Sequence, residues 1–545
     1  MKRGVFSAAL ALALLAGGLL ASGCPSKATT PPPATAGAGA GDGKPLGVGE
    51  TTVDVSGPPG GVPKPTVKES PPPPGPVRDA KFPPIVTTKL KNGLEVVTLE
   101  SHELPTVAFA LVLRSGSAQE PADLAGLADF TGEMLKRGTK TRTADQIAEE
   151  IEFVGGSLGI STDQDYTSIS LRVLTPYVDT VLGVLGDMIL NPTFPEDEIK
   201  KHRDKSLADL KDLLSQSGFL VGRTMARALY GAHPYGTIVP SEDSLKKIDR
   251  KALLGFFAKN YVAANAFMVV AGDIGSADAT ARLEKALGKW KKGAAAKAVK
   301  PPPAVSAERV VYLVDRPGSA QTDVSLGNLA IKRTDPAWFS LYLANQVLGG
   351  SASARLFRVL RKEKGYTYGA YSRLSARMVG GAWTASINGV DVPKSIPAIR
   401  DMLGLVGALP ADPLTDDLAD AKSYLTGVFA TSIETIGQVA SKVVDMKVFG
   451  LPADYWDTYN SKLAAVTDAD AVEAAKKFVL PATGALVVVG DAKAMVPIDK
   501  PDGKPVKSLK DALREFGRVE VYDVAGKKVE SLDAAPPAPA PAPGS

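Results

Sequence analysis

From about Lys81 the chain alternates hydrophobic and polar positions in patterns that define elements. Two runs, Ile85 to Leu90 and Leu94 to Glu100, flank Lys91-Asn92-Gly93, and Asn-Gly between alternating apolar residues predicts a β-hairpin. Thr106 to Arg114 is apolar almost throughout, as in a strand covered on both faces, and Ser115-Gly116-Ser117 turns the chain after it. A helix is then expected to open at Gly126-Leu127-Ala128-Asp129-Phe130-Thr131-Gly132-Glu133-Met134. Thr143-Ala144-Asp145-Gln146 forms a capping-box pattern before a helix with Ile147, Ile151 and Val154 on one face, closed by Gly155-Gly156. Ser168 to Leu174 alternates as a strand. Pro176 starts an apolar helix to Leu190, Asn191-Pro192 breaks it, and a long charged helix runs from Glu196 to Leu214.

A pattern near the middle of the chain returns near its end. Tyr261 to Asp273 and Phe478 to Asp491 each lead through an apolar strand into Gly-Asp, the two pairs lying 218 positions apart with Pro301-Pro302-Pro303 between them. Such a strand is common by chance, but with two segments of roughly two hundred residues each it predicts two homologous α+β halves. Beyond Asp491, Lys507 to Phe516 reads as a short helix, and Val519 to Val529 as a hairpin turning at Ala525-Gly526. Ala534 to Ser545 is Ala/Pro low complexity, expected to be disordered.

Composition adds limits. The 545 residues are 44% hydrophobic, enough for a sizeable core, and the net charge of +4 is small and dispersed, which argues against a nucleic-acid partner. At the N-terminus Met1-Lys2-Arg3 precedes an apolar run from Val5 to Leu20, the anatomy of a secretory signal rather than a membrane span. Leu20-Ala21-Ser22-Gly23-Cys24 resembles a bacterial lipobox, with Ala21 where leucine is usual, and implies Cys24 as the lipidated first residue of the mature protein. The other reading is an ordinary signal peptide that leaves a cysteine near its cleavage site. With a single cysteine no intrachain disulfide forms. Pro25 to Arg78, rich in Pro, Gly, Ala, Ser and Thr, has too few large apolar residues to offset its ordering entropy and reads as a tether.

The segment around Gly126 to Met134, with Glu120-Pro121 before it and Lys136-Arg137-Gly138-Thr139 after it, resembles the start of the insulinase/pitrilysin peptidase family, which includes the mitochondrial processing peptidases. In that family the helix carries His-x-x-Glu-His, two zinc-binding histidines and the glutamate that polarises water. Register on Gly-Leu-Ala and Met places Asp129 and Glu133 at the histidine positions and Gly132 at the base position. Asp209, 76 positions after Glu133, stands in the region of the family's third ligand, a glutamate. The three histidines, His102, His202 and His233, have no pair at i, i+4 spacing, so a zinc centre of the family type is not encoded. His202 is expected to be solvated and His233 to structure a loop. His233-Pro234-Tyr235-Gly236 and Asn260 to Asp273 resemble further landmarks of the family's first domain.

Val347 to Gly369 closely resembles the family's second-domain signature. Within it Arg361 and Tyr368 match the pair that reaches the zinc site, the arginine gripping peptide through its planar fork and the tyrosine hydroxyl meeting the oxyanion. Read from the residues alone, the same stretch could be an amphipathic helix capped at Gly365 with a packed aromatic after it.

The resemblance implies two domains, each a mostly antiparallel sheet covered by helices, after a lipoprotein signal and disordered tether. The expected boundaries are signal 1–23, lipidated Cys24 and tether 24–80, first domain 81–298, linker 299–308, second domain 309–495, extension 496–533 and tail 534–545. It further implies a non-zinc-binding subunit of a heterodimeric metalloendopeptidase, with zinc only in a partner that carries His-x-x-Glu-His and with peptides as substrates. A catalytically silent peptide-binding or scaffold lipoprotein is the alternative. A third reading offers Asp129, Glu133 and Asp209 to a hard cation such as Mg or Mn, although Gly132 supplies no base. A serine or cysteine hydrolase is disfavoured, because no nucleophile-elbow motif is present and the only cysteine is Cys24. Pro25 after Cys24, rather than aspartate, resembles outer-membrane sorting, so the expected place is the bacterial envelope, facing the periplasm.

Overall fold

The computed structural model describes residue 79 and residues 81–302, 308–499 and 503–532. The expected signal, Cys24, nearly all of the tether, and the Ala/Pro tail lie outside the described residues. Among the described residues no helix is long and apolar enough to cross a membrane.

The first half opens with the expected hairpin, β1 (Ile85–Lys89) and β2 (Glu95–Glu100), paired from Ile85↔Leu99 to Lys89↔Glu95. Gly93 has φ +93° at its turn, a left-handed conformation that glycine adopts without steric cost. Then follow β3 (Thr106–Leu113), α1 (Leu127–Met134) and α2 (Ala144–Phe153), the last with the capping box at Thr143 and Gln146. The hairpin of β4 (Ser157–Thr162) and β5 (Thr167–Leu174) leads to α3 (Val178–Leu190) and α4 (Glu196–Leu214). After α5 (Ser217–Tyr230), α6 (Glu242–Lys247) and α7 (Arg250–Asn260), the half closes with β6 (Ala266–Gly272) and α8 (Ser276–Leu287). Its sheet runs β1-β2-β6-β3-β5-β4, antiparallel except for the β2–β6 pair.

The second half repeats this plan. Its elements are β7 (Val310–Asp315), β8 (Gln321–Leu329), α9 (Trp338–Gly349), a π-helical segment Phe357–Glu363, β9 (Gly369–Ser375) and β10 (Ala382–Asp391). Helices α10 (Ser395–Ala408), α11 (Thr415–Thr431), α12 (Ile436–Phe449), α13 (Tyr459–Ala465) and α14 (Asp468–Phe478) precede β11 (Ala485–Gly490). Helices α3, α5 and α7 begin at 178, 217 and 250, and α10, α12 and α14 at 395, 436 and 468, offsets of 217 to 219. That spacing brackets the 218 positions between the two Gly-Asp pairs.

The two halves exchange helices. On β3, Val107, Phe109, Leu111 and Leu113 face the first half's own helices. The alternate residue Val112, with Val97, Leu99, Phe267, Val269 and Ala271, packs against Val439, Ala440 and Val443 of α12, a helix of the second half. Lys447 of α12 pairs with Glu95 at 2.6 Å, and Arg114 donates to the Lys447 carbonyl while lying 4.8 Å over the Phe267 ring. Reciprocally, Leu220, Val221, Met225 and Leu229 of α5 pack on Val314, Ala485, Val487 and Val489 of the second sheet. The central strands of each sheet are thus buried on both faces, one by its own helices and one by a helix of the other half.

Residues after Asp491 are tied into this frame. A short β12 (Met495–Pro497) pairs with β13 (Val506–Ser508), α15 (Leu509–Ala512) follows, and β14 (Arg518–Tyr522) lies parallel to β7. The second sheet therefore runs β14-β7-β11-β8-β10-β9, with β7 also parallel to β11. Where the sequence suggested only a local hairpin, the turn forms, with Val529 N donating to Val521 O at 2.8 Å, but its first strand is also an edge strand of the sheet. Local alternation announces a strand without naming its partner. At the other end of the described chain, Asp79 accepts from Ser461 N at 2.9 Å and Phe82 N donates to Asp457 at 3.0 Å, so the approach to β1 is pinned to the second half.

Because α5 is shared, Leu220→Ala, at a fully buried position, is expected to lower stability by about 2–5 kcal/mol. Urea denaturation should show one cooperative transition moved to lower concentration; two separated transitions would contradict the coupling.

Candidate functional site

Helix α1 is held from below by Glu120, whose carboxylate accepts from Gly126 N and Ala128 N at 2.9 Å each. Burial pushes the Glu120 carboxyl up to about 7, against the downward pull of those N–H groups. Gly126 begins the helix at φ +96°, and a Cβ there would stand 3.0 Å from Pro240 Cβ. Asp129 and Glu133 share one face of α1, as their spacing requires. Gly132 is buried towards β4: a Cβ would lie 3.2 Å from Ile160 Cγ2 and 3.3 Å from Thr162 Oγ1.

Two ammonium groups occupy this region. Lys136 binds Glu133 at 2.9 Å, and Lys205 binds Asp209 along α4. Solvent still reaches Asp129, but the protein around it and then the Glu133 carboxylate push its carboxyl up to about 6, against the pull of Lys136 and Lys205. His202 is half-buried rather than solvated as the sequence suggests. Its ring stands edge-on to Phe130, centroids 4.4 Å apart, and its buried Nδ1 has no hydrogen-bond partner. Burial drives it down to about 4. The charged sequence of α4 hides this, because the ring that covers His202, that of Phe130, comes from α1.

The other histidines are structural. His233 Nδ1 accepts from Tyr235 N at 3.2 Å while Nε2 lies 2.8 Å from the Lys300 carbonyl oxygen. His102 sits between Asp273 at 2.6 Å and Glu100 at 2.9 Å, and these hydrogen bonds raise its pKa.

Arg361 and Tyr368 come together on the second half. The π-helical segment carries Arg361 to a position where its guanidinium carbon is 4.9 Å from the Tyr368 ring centroid. Tyr368 is 74% exposed, and its hydroxyl engages no protein group among the described residues. Its backbone is fixed by Thr367, whose hydroxyl donates to the Asn388 carbonyl and accepts from Gly369 N at 3.1 Å. The pair is therefore exposed, its two side chains in contact with each other.

A model of the insulinase (M16) peptidase family matches residues 95–239, and one described as the peptidase M16 inactive domain matches residues 247–417, together more than half of the chain. The chain belongs to the insulinase, or M16, peptidase family. It is similar to the crystal structure of a peptidase M16 inactive domain from Pseudomonas fluorescens, with TM-score 0.71 and 25% identity, over 78% of this chain and 100% of that one. The fold is also that of a protease from Helicobacter pylori, with TM-score 0.70 and 19% identity, over 75% of this chain and 100% of that one. Among sequence relatives, an uncharacterized zinc protease of Bacillus subtilis is 27% identical over 356 residues, 65% of this chain and 85% of that protein. Another, from Streptomyces coelicolor, is 25% identical over 414 residues, 74% of this chain and 89% of that protein.

The donor set of this M16 chain does not fit the zinc that such names imply. Zinc sites of this kind use imidazole and carboxylate ligands around an open position, whereas Glu133 and Asp209 are taken by lysines and no imidazole stands at either α1 position. Among the described residues no three His, Cys, Asp or Glu side chains gather closely enough to hold a metal ion, so the three carboxylates offered to Mg or Mn do not form a ligand set either. Sequence reasoning missed Lys136, Lys205 and Glu120 although each acts within eight residues: Lys136 and Lys205 stand at i, i+3 and i, i+4 from their carboxylates, a spacing that could have found them, and Glu120 caps the start of α1 from the preceding loop.

Elemental analysis of dialysed protein is expected to find zinc far below one equivalent, with EDTA leaving the unfolding midpoint unmoved; a stoichiometric, stabilising metal would contradict this site. His202 is expected to titrate near 4 in NMR, well below its ordinary 6.5. Its folded pKa being the lower, protonation favours the unfolded chain. The stability that His202 contributes as a neutral group is present above pH 6.5 and declines as pH falls towards 4.

Proposed function

We propose that this chain is the non-zinc-binding subunit of a heterodimeric M16 metalloendopeptidase, supplying Arg361 and Tyr368 in trans to peptide held at a partner's zinc centre. One observation carries the reading: the face that would bind metal is filled by Lys136 and Lys205, while the Arg361–Tyr368 pair stands exposed with a free hydroxyl. The inactive-domain family model and the zinc-protease names of the relatives support it.

In this reading the metal belongs wholly to the partner. The planar donors of the Arg361 guanidinium bind peptide carbonyl or carboxylate oxygens and orient the chain. The Tyr368 hydroxyl donates to the oxygen that gains charge as the carbonyl is attacked, a contact strongest in the transition state. A lipid on Cys24 and the tether would hold the subunit at the outer membrane, facing the periplasm. The alternative is a catalytically silent peptide-binding scaffold lipoprotein; the Gly132 position, which lacks a base, is compatible with both.

The test is a pull-down of the full chain from detergent-solubilised envelope, followed by peptidase assay. A protein with His-x-x-Glu-His should co-purify. Tyr368→Phe should lower kcat by about 10²–10³ with little change in KM, and Arg361→Ala should raise KM, both leaving the complex intact. Absence of such a partner, or variants that hydrolyse peptide like the wild type, would leave only the scaffold reading.

A further inference from the structure

The two sheets differ at the strand pair that leads to Tyr368. In the first sheet β3 and β5 pair without interruption from Thr106↔Leu174 to Leu113↔Thr167. Their counterparts β8 and β10 slip between Ile387↔Val324 and Val390↔Thr322, so Asn388 and Gly389 together oppose Asp323 alone. Two residues against one make a β-bulge, which disrupts the ladder locally and re-aims nearby side chains. Here the neighbour is Tyr368. Asn388 pairs with Gly369 at the end of the β9–β10 ladder, one residue past Tyr368, and its carbonyl accepts from the Thr367 hydroxyl. The Tyr368 ring lies against Gly389, where a Cβ would stand 3.6 Å from Tyr368 Cδ2.

The bulge is held by the side chain opposite it. Gly389 N donates to Asp323 Oδ1 at 2.6 Å, and Asp323 Oδ2 accepts from the hydroxyl of Ser217, the first residue of α5. Asp323 is only 8% exposed. Burying a carboxylate is costly unless its oxygens are hydrogen-bonded, and here both are, beside a helix N-terminus where negative charge is favoured. We infer that Asp323 is a positioning residue for Tyr368. Its carboxylate keeps the Asn388–Gly389 bulge in shape, the bulge fixes Thr367 and the Tyr368 ring, and Ser217 ties the carboxylate to the helix supplied by the first half. This rests on the oxyanion role proposed for Tyr368. Without the carboxylate the Gly389 N–H loses its acceptor, the bulge relaxes and the tyrosine hydroxyl moves; a displacement of about 1 Å in such a group can cost about 10²-fold in rate.

The experiment combines peptidase kinetics of the complex recovered with the full chain and hydrogen exchange on the full chain by itself. Asp323→Ala should lower kcat about 10- to 100-fold with KM and recovery of the complex unchanged. Asp323→Val, which fills the space without offering an acceptor, should behave in the same way. Asp323→Asn, which keeps an acceptor for the Gly389 N–H, should retain most of the activity. In the Tyr368→Phe background Asp323→Ala should remove nothing further, because a residue that acts through Tyr368 has nothing left to position. An additive loss in that double variant, a change in KM alone, or wild-type kcat in Asp323→Ala would overturn the inference. In hydrogen exchange, the amides of residues 367–369 should exchange faster in Asp323→Ala but not in Asp323→Asn, while those of β6 keep their protection; unchanged exchange at 367–369 would also overturn it. If Tyr368→Phe itself hydrolyses peptide like the wild type, the oxyanion role falls, and the exchange result alone decides whether Asp323 holds Tyr368 in place.

Discussion

The reciprocal exchange of α5 and α12 is the constraint on which the molecule depends. A sheet whose strands are apolar on both faces needs two covers, and here each half supplies only one to itself. Phe267, Val269 and Ala271 are sealed by Val439, Ala440 and Val443 from the other half, and Val487 and Val489 by Leu220 and Met225. Charged pairs at the rim, Lys447 with Glu95 and Arg377 with Asp163, set direction more than they add stability. Neither half can expose its borrowed face without exposing core, so the two behave as one unit, and both site-bearing faces are carried on that unit.

On that frame the two faces differ. On the α1 face Asp129 and Glu133 stand one turn apart, and lysines supply the positive charge beside these carboxylates. The Arg361–Tyr368 face keeps its donors unengaged. The Tyr368 hydroxyl has no protein partner and the Arg361 guanidinium has only the Tyr368 ring, an exposed contact that adds little stability, which is why their function is sought in a complex.

Signals written within a few residues were legible. Asn92-Gly93 marked the hairpin, Thr143 and Gln146 the helix cap, and the charge pattern fixed α4 from Glu196 to Leu214. The family signature named Arg361 and Tyr368, but that their side chains meet, guanidinium over ring, is seen only in the structure. Long-range features stayed hidden. Strand β4 is small and polar, with Gly159 in its middle, because only one side of it is covered. Helix α5 was passed over since its apolar stripe answers a sheet more than eighty residues further along the chain. The widened turn of Phe357–Glu363 leaves no compositional trace, and the burial of His202 depends on Phe130 arriving from another helix.

The most direct measurement of the central claim is photo-crosslinking from the position of Tyr368, with p-benzoylphenylalanine incorporated there in cells and the products mapped by mass spectrometry. The account predicts adducts on a second M16 chain, at or beside its His-x-x-Glu-His helix. Adducts confined to this chain, or to proteins without that motif, would contradict it.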